Sequence, residues 1–219
     1  MTRVKICGIR DIEHVRAALD AGAELLGFVF YRPSHRYVTP AQAATLIAQA
    51  RREYGRGWQA VGLFVNEAPE VVEQVAEACA LDLVQLSGDE DRAYCRRLRV
   101  PLVKVVRPAQ VGQAPLRVVC DAAYWGAERV LLDAHVAGRY GGTGQPLPWV
   151  ELREVAGPCL LAGGLTPDNV GAAVLAARPW GVDVSSGVER DRVKDPALIR
   201  RFISEVRRAD ERCEARSGA

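Results

Sequence analysis

The chain alternates between short apolar runs and longer amphipathic stretches from one end to the other. The apolar runs are nearly continuous rather than alternating with polar residues, which is typical of strands buried on both faces. They predict strands at residues 4–7, 25–30, 60–65, 83–86, 102–106, 130–133, 159–162 and 181–185.

The stretches between these runs carry helix signals. Asp11 is placed to cap a helix that Gly22 can end, and Thr39 precedes a proline at the first helical position. Residues 69–78 and 195–206 each carry apolar side chains on one helical face.

Eight strand–helix units without a linker predict an α/β fold, a single-domain (β/α)8 TIM barrel over residues 1–206. A doubly wound open sheet is the alternative, and the even spacing of the units favours closure. The charged residues 207–219 are expected to form a frayed tail.

Composition narrows the class of protein. The 219 residues carry a net charge of +2 and no basic stripe interleaved with aromatics, so a nucleic-acid partner is not expected. No apolar run reaches transmembrane length and no signal peptide is recognisable, which predicts no membrane partner and a cytoplasmic location. Six cysteines and three histidines show no zinc-type spacing, so no metal site is expected.

The strand ends carry the candidate chemistry, because the active site of such a barrel is built there. Cys7 ends the first strand and Asp133 the sixth, so the two side chains could face each other across the barrel mouth. A thiol of reference pKa about 8.5 can act as a base if its pKa is lowered, and a carboxyl group can act as an acid. The alternatives are a small core residue for Cys7 and an N-cap or loop salt bridge for Asp133.

Two further loops suggest an anion site. Gly163 and Gly164 follow the seventh strand, and Ser185, Ser186 and Gly187 end the eighth. Loops in these two units often bind phosphate through free backbone N–H groups. Tight turns are the alternative explanation, and for Gly187 it stays open.

Arg36 follows a Pro-Ser-His turn, and its guanidinium fork suits a carboxylate or phosphate. The alternative is a solvated arginine in an arginine-rich chain. Only three residues are lysines (Lys5, Lys104 and Lys194), and the first two lie inside predicted strands. Lys5 is predicted to point inward beneath Cys7 and to pair with Asp183 on the neighbouring eighth strand, the alternative being that it snorkels outward.

These motifs occur in one order that resembles a known family. They are Val4-Lys5-Ile6-Cys7-Gly8-Ile9, Leu26-Gly27-Phe28-Val29-Phe30 with Ser34 and Arg36, Gln85-Leu86-x-Gly88-Asp89, Leu132-Asp133 with Gly141-Gly142-Thr143-Gly144, Leu161-Ala162-Gly163-Gly164-Leu165, and Gly181-Val182-Asp183-Val184-Ser185-Ser186-Gly187-Val188-Glu189. Over residues 3 to about 203 the chain resembles the phosphoribosylanthranilate isomerases of tryptophan biosynthesis.

The resemblance implies an Amadori rearrangement of N-(5'-phosphoribosyl)anthranilate without metal or cofactor. It implies Cys7 as the general base, Asp133 as the general acid and Arg36 as the residue that holds the anthranilate carboxylate. It also implies a phosphorylated small-molecule substrate and a monomer or homodimer. The implied substrate-binding residues are Gly142, Gly163, Gly164, Ser185, Ser186 and Gly187.

Three positions depart from the family pattern. Ser87 stands where the family usually has histidine, His35 stands where proline is usual, and the loop after Glu189 lacks a common glycine. Two other functions stay open: a phosphate-binding sugar isomerase of the histidine pathway, which resembles a two-aspartate design, and a catalytically silent barrel. The cysteine at position 7 argues against the first, and the presence of both Cys7 and Asp133 argues against the second.

Overall fold

The protein is a closed eight-stranded parallel barrel in a computed structural model that describes residues 1–108, 115–133, 149 and 152–217. The first and eighth strands pair directly, with Lys5 opposite Asp183, so the sheet closes and the open-sheet alternative is wrong. The barrel strands are β1 (Arg3–Cys7), β2 (Leu25–Val29), β3 (Gln59–Phe64), β4 (Leu83–Leu86), β5 (Leu102–Val106), β6 (Arg129–Asp133), β7 (Leu160–Ala162) and β8 (Gly181–Val184).

The helices of the described residues differ in length around the barrel. They are α1 (Ile12–Asp20), α2 (Pro40–Tyr54), α3 (Pro69–Ala78), α4 (Arg92–Cys95), α5 (Leu116–Val119), α6 (Ala122–Trp125), α7 (Arg153–Ala156), α8 (Val170–Ala177) and α9 (Pro196–Ser217). Helices α4 to α7 are single turns, whereas α2 begins with the predicted Thr39 cap, whose side chain accepts from the Gln42 N–H. None of the described helices is long and apolar enough to cross a membrane.

Side-chain alternation along the strands produces two apolar cores. A larger core fills the space between the barrel and the helices. A smaller one lies inside the barrel and consists of Leu25, Val61, Leu83, Val103, Val105, Leu131, Leu160 and Ala162. Because side chains alternate by residue, Asp133 shares the inward face of β6 with Leu131.

The predicted fraying from Arg207 is wrong. Helix α9 continues to Ser217, and Ala209 is almost completely buried. The carboxylate of Asp210 accepts hydrogen bonds from the N–H and the hydroxyl of Thr2, at 2.9 and 2.6 Å. Arg207 donates to Glu24 at 2.9 Å. These contacts tie the middle of α9 to the residues that precede β1 and β2, which the high charge of the segment obscured.

One element was not predicted. Strands β9 (Glu189–Arg190) and β10 (Val193–Lys194) form a small antiparallel hairpin after β8, in which Lys194 lies opposite Glu189. Its turn residues Asp191 and Arg192 have φ values of 52° and 65°. Two consecutive positive φ angles are the geometry of a tight hairpin turn that usually contains glycine.

Candidate active site

The base of the site is a buried ion pair. Lys5 on β1 and Asp183 on β8 lie opposite each other, and the Lys5 Nζ donates to the Asp183 carboxylate at 2.7 Å. The Lys5 side chain is completely buried. The predicted inward orientation and pairing are therefore confirmed, and the snorkelling alternative is wrong. We call these two residues the inner pair.

Cys7 lies above the inner pair, at the carboxyl end of β1, and is almost completely buried. Burial alone would lower the pKa of Lys5, but the charges of Asp183 and Cys7 outweigh burial, so this pKa is raised. A Cβ atom at Gly27 would lie 2.9 Å from the Cys7 Sγ and 3.0 Å from the Lys5 Nζ. Gly27 is thus a residue that sequence reasoning missed. Its signal is a glycine inside a strand, which often marks a close approach.

Asp133 ends β6, which is three strands from β1 through β7 and β8, and its side chain is 25% exposed. Because the Asp133 side chain is on the inward face of β6, it lies across the mouth from Cys7. The Arg107 Nε lies 3.7 Å from its carboxylate, and an Arg107 Nη donates to the Ser87 carbonyl at 2.9 Å. The salt-bridge alternative for Asp133 is thus observed, and the partial exposure leaves the carboxyl group accessible for chemistry. Arg107, directly after β5, was not singled out from the sequence.

Arg36 is not a solvated arginine. Its Nε and Nη2 donate to the two carboxylate oxygens of Glu189 at 2.6 and 2.7 Å. Its aliphatic stem packs against Gly8, where a Cβ would lie 2.5 Å from the Arg36 Cδ. Gly8 has a φ of 88°, a second reason why only glycine fits at that turn.

Glu189 joins Arg36 to the end of β8. The same carboxylate accepts from the Lys194 Nζ at 2.6 Å, and this Nζ also donates to the Ser185 carbonyl at 2.8 Å. Burial alone would raise the pKa of Glu189, but the hydrogen bonds from Arg36 and Lys194 outweigh burial and hold this pKa at about 2. Burial lowers the pKa of Lys194. We call Arg36, Glu189 and Lys194 the mouth cluster.

Each of the three lysines is buried and paired with a carboxylate. Besides the pairs of Lys5 and Lys194, Lys104 donates to Glu90 at 2.8 Å, with both side chains at most 4% exposed. In this arginine-rich chain lysine occurs where a compact cation must be buried. The rarity of lysine was therefore a usable signal for Lys194, which was not singled out from the sequence.

The two glycine- and serine-rich loops contact each other. Gly163 and Gly164 have φ values of 94° and 66°. A Cβ at Gly187 would lie 1.8 Å from the Leu165 carbonyl oxygen, so the loop after β8 packs directly on the loop after β7. Gly187 also lies in a single 3₁₀ turn, Ser186–Val188, as its tight-turn alternative requires. Next to this turn, the Ser185 hydroxyl donates to the Cys7 carbonyl at 3.1 Å.

The departures from the family pattern have separate environments. Ser87 is buried and its hydroxyl accepts from the Gln85 side chain at 3.1 Å. The His35 Nε2 lies 3.5 Å from the Glu189 carboxylate, and burial lowers the pKa of His35. The predicted Gly142 lies outside the described residues. Among the described residues, no three His, Cys, Asp or Glu side chains are grouped as a metal ion would require.

Comparison with known proteins agrees with this geometry. The family model described as N-(5'phosphoribosyl)anthranilate (PRA) isomerase matches residues 4–205. The chain belongs to this isomerase family. It is 45% identical to the N-(5'-phosphoribosyl)anthranilate isomerase of Roseiflexus castenholzii, over 94% of this chain and 98% of that protein. It is 44% identical to the isomerase of Desulforudis audaxviator, over 95% and 100% of the two chains.

Solved structures of phosphoribosylanthranilate isomerases have the same fold. The enzyme from Thermotoga maritima superposes with a TM-score of 0.83 at 35% identity, covering 94% of this chain and 99% of that chain. Another isomerase structure, in complex with reduced 1-(o-carboxyphenylamino)-1-deoxyribulose 5-phosphate, has a TM-score of 0.76 at 34% identity, with 94% and 99% coverage. These matches favour the isomerase of tryptophan biosynthesis over the two alternative functions.

Proposed function

We propose that the protein rearranges N-(5'-phosphoribosyl)anthranilate to 1-(2-carboxyphenylamino)-1-deoxyribulose 5-phosphate, with Asp133 as general acid and Cys7 as general base. Asp133 gives a proton to the ring oxygen as the bond between this oxygen and C1' breaks, and the lone pair of the anthranilate nitrogen forms a protonated Schiff base with C1'. Cys7 then takes the proton from C2', and the resulting enol tautomerises to the ketone. The opening breaks one C–O bond whose electron pair stays on the ring oxygen, and the later steps are proton transfers, so no atom is gained or lost.

The observation that carries this proposal is the placement of the two groups. Cys7 is the last residue of β1 and Asp133 is the last residue of β6, and both side chains lie on the inward face of the barrel, across the mouth from each other. Cys7 also lies directly above the buried Lys5 cation. A nearby positive charge favours a thiolate, which is the form of cysteine that can accept a proton. The remaining surface of Asp133 leaves room for a substrate oxygen.

The other substrate groups are assigned by chemistry. Arg36 would bind the anthranilate carboxylate through its guanidinium fork. The phosphate would lie against Gly163, Gly164, Ser185, Ser186 and Gly187, with Gly142 as a further contact. In support, the two loops are in contact and two of their glycines adopt positive φ values. The expected monomer or homodimer and the cytoplasmic location remain predictions. One related structure is described as monomers made from a dimeric isomerase.

Replacement of the acid and the base tests the proposal. Cys7→Ser and Asp133→Asn keep the shapes of the side chains but remove a usable base and the acidic proton. Each is expected to lower kcat by about 10²–10⁴-fold in a fluorescence assay of anthranilate consumption. Cys79→Ser and Asp82→Asn are matched controls, because Cys79 lies in the core between the barrel and the helices and Asp82 precedes β4, at the end of the barrel opposite the mouth. Activity within about tenfold of wild type for Cys7→Ser or Asp133→Asn would refute that residue's role.

A further inference from the structure

Arg36 has two edges that can each bind a carboxylate, and the protein uses one. A guanidinium group presents the Nε–Nη2 pair on one edge and the Nη1–Nη2 pair on the other. Glu189 occupies the first edge with two hydrogen bonds, at 2.6 and 2.7 Å. Within the described part of the chain, the Arg36 Nη1 donates to no protein atom. The second edge is therefore available to a ligand.

Glu189 is held too firmly to be displaced easily. One of its oxygens accepts from both Arg36 and Lys194, at 2.6 Å each, and the other accepts from Arg36. Its side chain is 7% exposed, and that of Lys194 is 2% exposed. A substrate carboxylate that replaced Glu189 would leave Lys194 and the displaced carboxylate without their partners in a nearly dry region, which is costly.

Glu189 also connects the Arg36 subsite with the chemical centre. The hairpin register places Lys194 opposite Glu189, and Lys194 donates to the Ser185 carbonyl at 2.8 Å. The Ser185 hydroxyl in turn donates to the Cys7 carbonyl. A continuous set of hydrogen bonds thus joins Arg36 to the strand end that carries Cys7.

We propose that Glu189 is a positioning residue for recognition of the substrate carboxylate. It holds one edge of Arg36 and leaves the Nη1–Nη2 edge for the anthranilate carboxylate. The three charges of the mouth cluster sum to +1, so the cluster keeps a net attraction for an anion. This inference rests on the proposed function, since it takes the carboxylate of that substrate as the ligand of Arg36.

Binding of two product analogues tests the inference. One is reduced 1-(o-carboxyphenylamino)-1-deoxyribulose 5-phosphate, and the other is its phenylamino counterpart without the carboxyl group. In Glu189→Gln, an amide replaces one acceptor oxygen with a donor, so the Arg36 fork loses one bond. We expect calorimetric titration to show binding of the carboxylated analogue weakened by about tenfold or more, and binding of the other weakened by less than about twofold. KM for the substrate should rise similarly, with kcat nearly unchanged.

Three further variants test the coupling to Arg36, provide a control and allow for a folding failure. In an Arg36→Met background, which already lacks the fork, Glu189→Gln should weaken binding by less than about twofold more. Glu24→Gln removes a similar arginine partner, the Arg207 contact of 2.9 Å at the opposite end of the barrel, and should leave both affinities unchanged. Glu189→Asp keeps the charge but shortens its reach, and should give an intermediate loss if Glu189→Gln does not fold.

Three results would overturn the inference. Equal weakening for the two analogues would mean general distortion of the site, and full additivity with Arg36→Met would mean independent roles. Tighter binding of the carboxylated analogue to Glu189→Gln would mean that Glu189 competes with the substrate. A wild-type protein without isomerase activity would instead refute the proposed function, so the two failures are distinguishable.

Discussion

The inner pair and the mouth cluster are both buried ion-pair systems, but they are built differently. The inner pair joins facing positions of two paired strands, with Lys5 opposite Asp183. The mouth cluster joins Arg36, in a loop, to Glu189, which is 153 residues away along the chain and belongs to a hairpin with two residues at positive φ. Regular strand geometry therefore supports the first system, whereas irregular loop geometry supports the second.

The difference separates two tasks. The inner pair places a cation beneath Cys7, inside a barrel where little can move. The mouth cluster orients a guanidinium group toward the solvent-facing end, where a substrate must enter and leave. Loss of the inner pair should therefore affect stability and the reactivity of Cys7, whereas loss of the mouth cluster should affect substrate recognition and a part of the stability that depends on pH.

The largest expected effect is that of breaking the inner pair. Lys5→Met leaves Asp183 without its partner, and we expect the free energy of unfolding from urea titration to fall by about 3–5 kcal/mol. Because a cation beside a thiol stabilises a thiolate, its removal should also slow iodoacetamide modification of Cys7 at neutral pH by about tenfold, measured on the Cys7 peptide by mass spectrometry.

Lys104→Met is the matched control for this experiment. Lys104 is equally buried and paired, with Glu90, but it is a lysine of β5 whose partner lies in the loop after β4. It should lose comparable stability without changing the reactivity of Cys7. Equal alkylation rates in wild type and Lys5→Met would show that the inner pair has a structural role alone.

The stability that the mouth cluster contributes should depend on pH in the acid range. The pKa of Glu189 is held at about 2, below its ordinary value of 4.5, so its contribution is present above pH 4.5 and is lost as the pH falls toward 2. We expect Glu189→Gln to be less stable than wild type at neutral pH by about 2–3 kcal/mol, after allowance for solvent screening. Urea titrations at successively lower pH should show this gap closing.

Glu53→Gln is the control for Glu189→Gln, because it removes a carboxylate of similarly low pKa from an exposed ion pair. The pKa of Glu53 is also held at about 2, mainly by its hydrogen bond from Arg16, but this pair lies on the surface. Surface pairs are screened by salt and contribute little. Its substitution should therefore barely change the pH dependence of stability. A constant gap between wild type and Glu189→Gln over the acid range would contradict the prediction.

The smallest expected effect concerns the hairpin that carries the mouth cluster. Arg192 has a φ of 65° that glycine adopts without strain, and Asp-Gly is a preferred sequence for such a turn. Arg192→Gly should raise the free energy of unfolding by about 0.5 kcal/mol. Arg178→Gly, at a φ of 47° after α8, should act in the same direction away from both systems. A loss of stability in Arg192→Gly would show that the arginine side chain contributes more than its backbone strain costs.

Sequence reasoning predicted the parts of the site that follow from periodicity. All eight barrel strands were located to within a residue or two, and the Lys5–Asp183 contact followed from alternation plus closure of the barrel. It missed the Glu189–Arg36 pair and the hairpin, because Asp191 and Arg192 adopt positive φ without the glycine that signals such a turn. Sequence reasoning also predicted a frayed tail where α9 continues, because the charged segment hides Asp210, the buried partner of Thr2.

Local patterns along the chain were thus enough to predict the barrel, the strand ends at which Cys7 and Asp133 lie, and the family motifs. These features depend on local periodicity that is repeated eight times, so each unit supports the interpretation of the others. The contacts between loop side chains at the mouth follow only from the folded chain, because they depend on the positions of distant strand ends and on turn angles that composition does not reveal. The orientation of Arg36 by Glu189 belongs to this second class, because the two residues meet only when the barrel has closed.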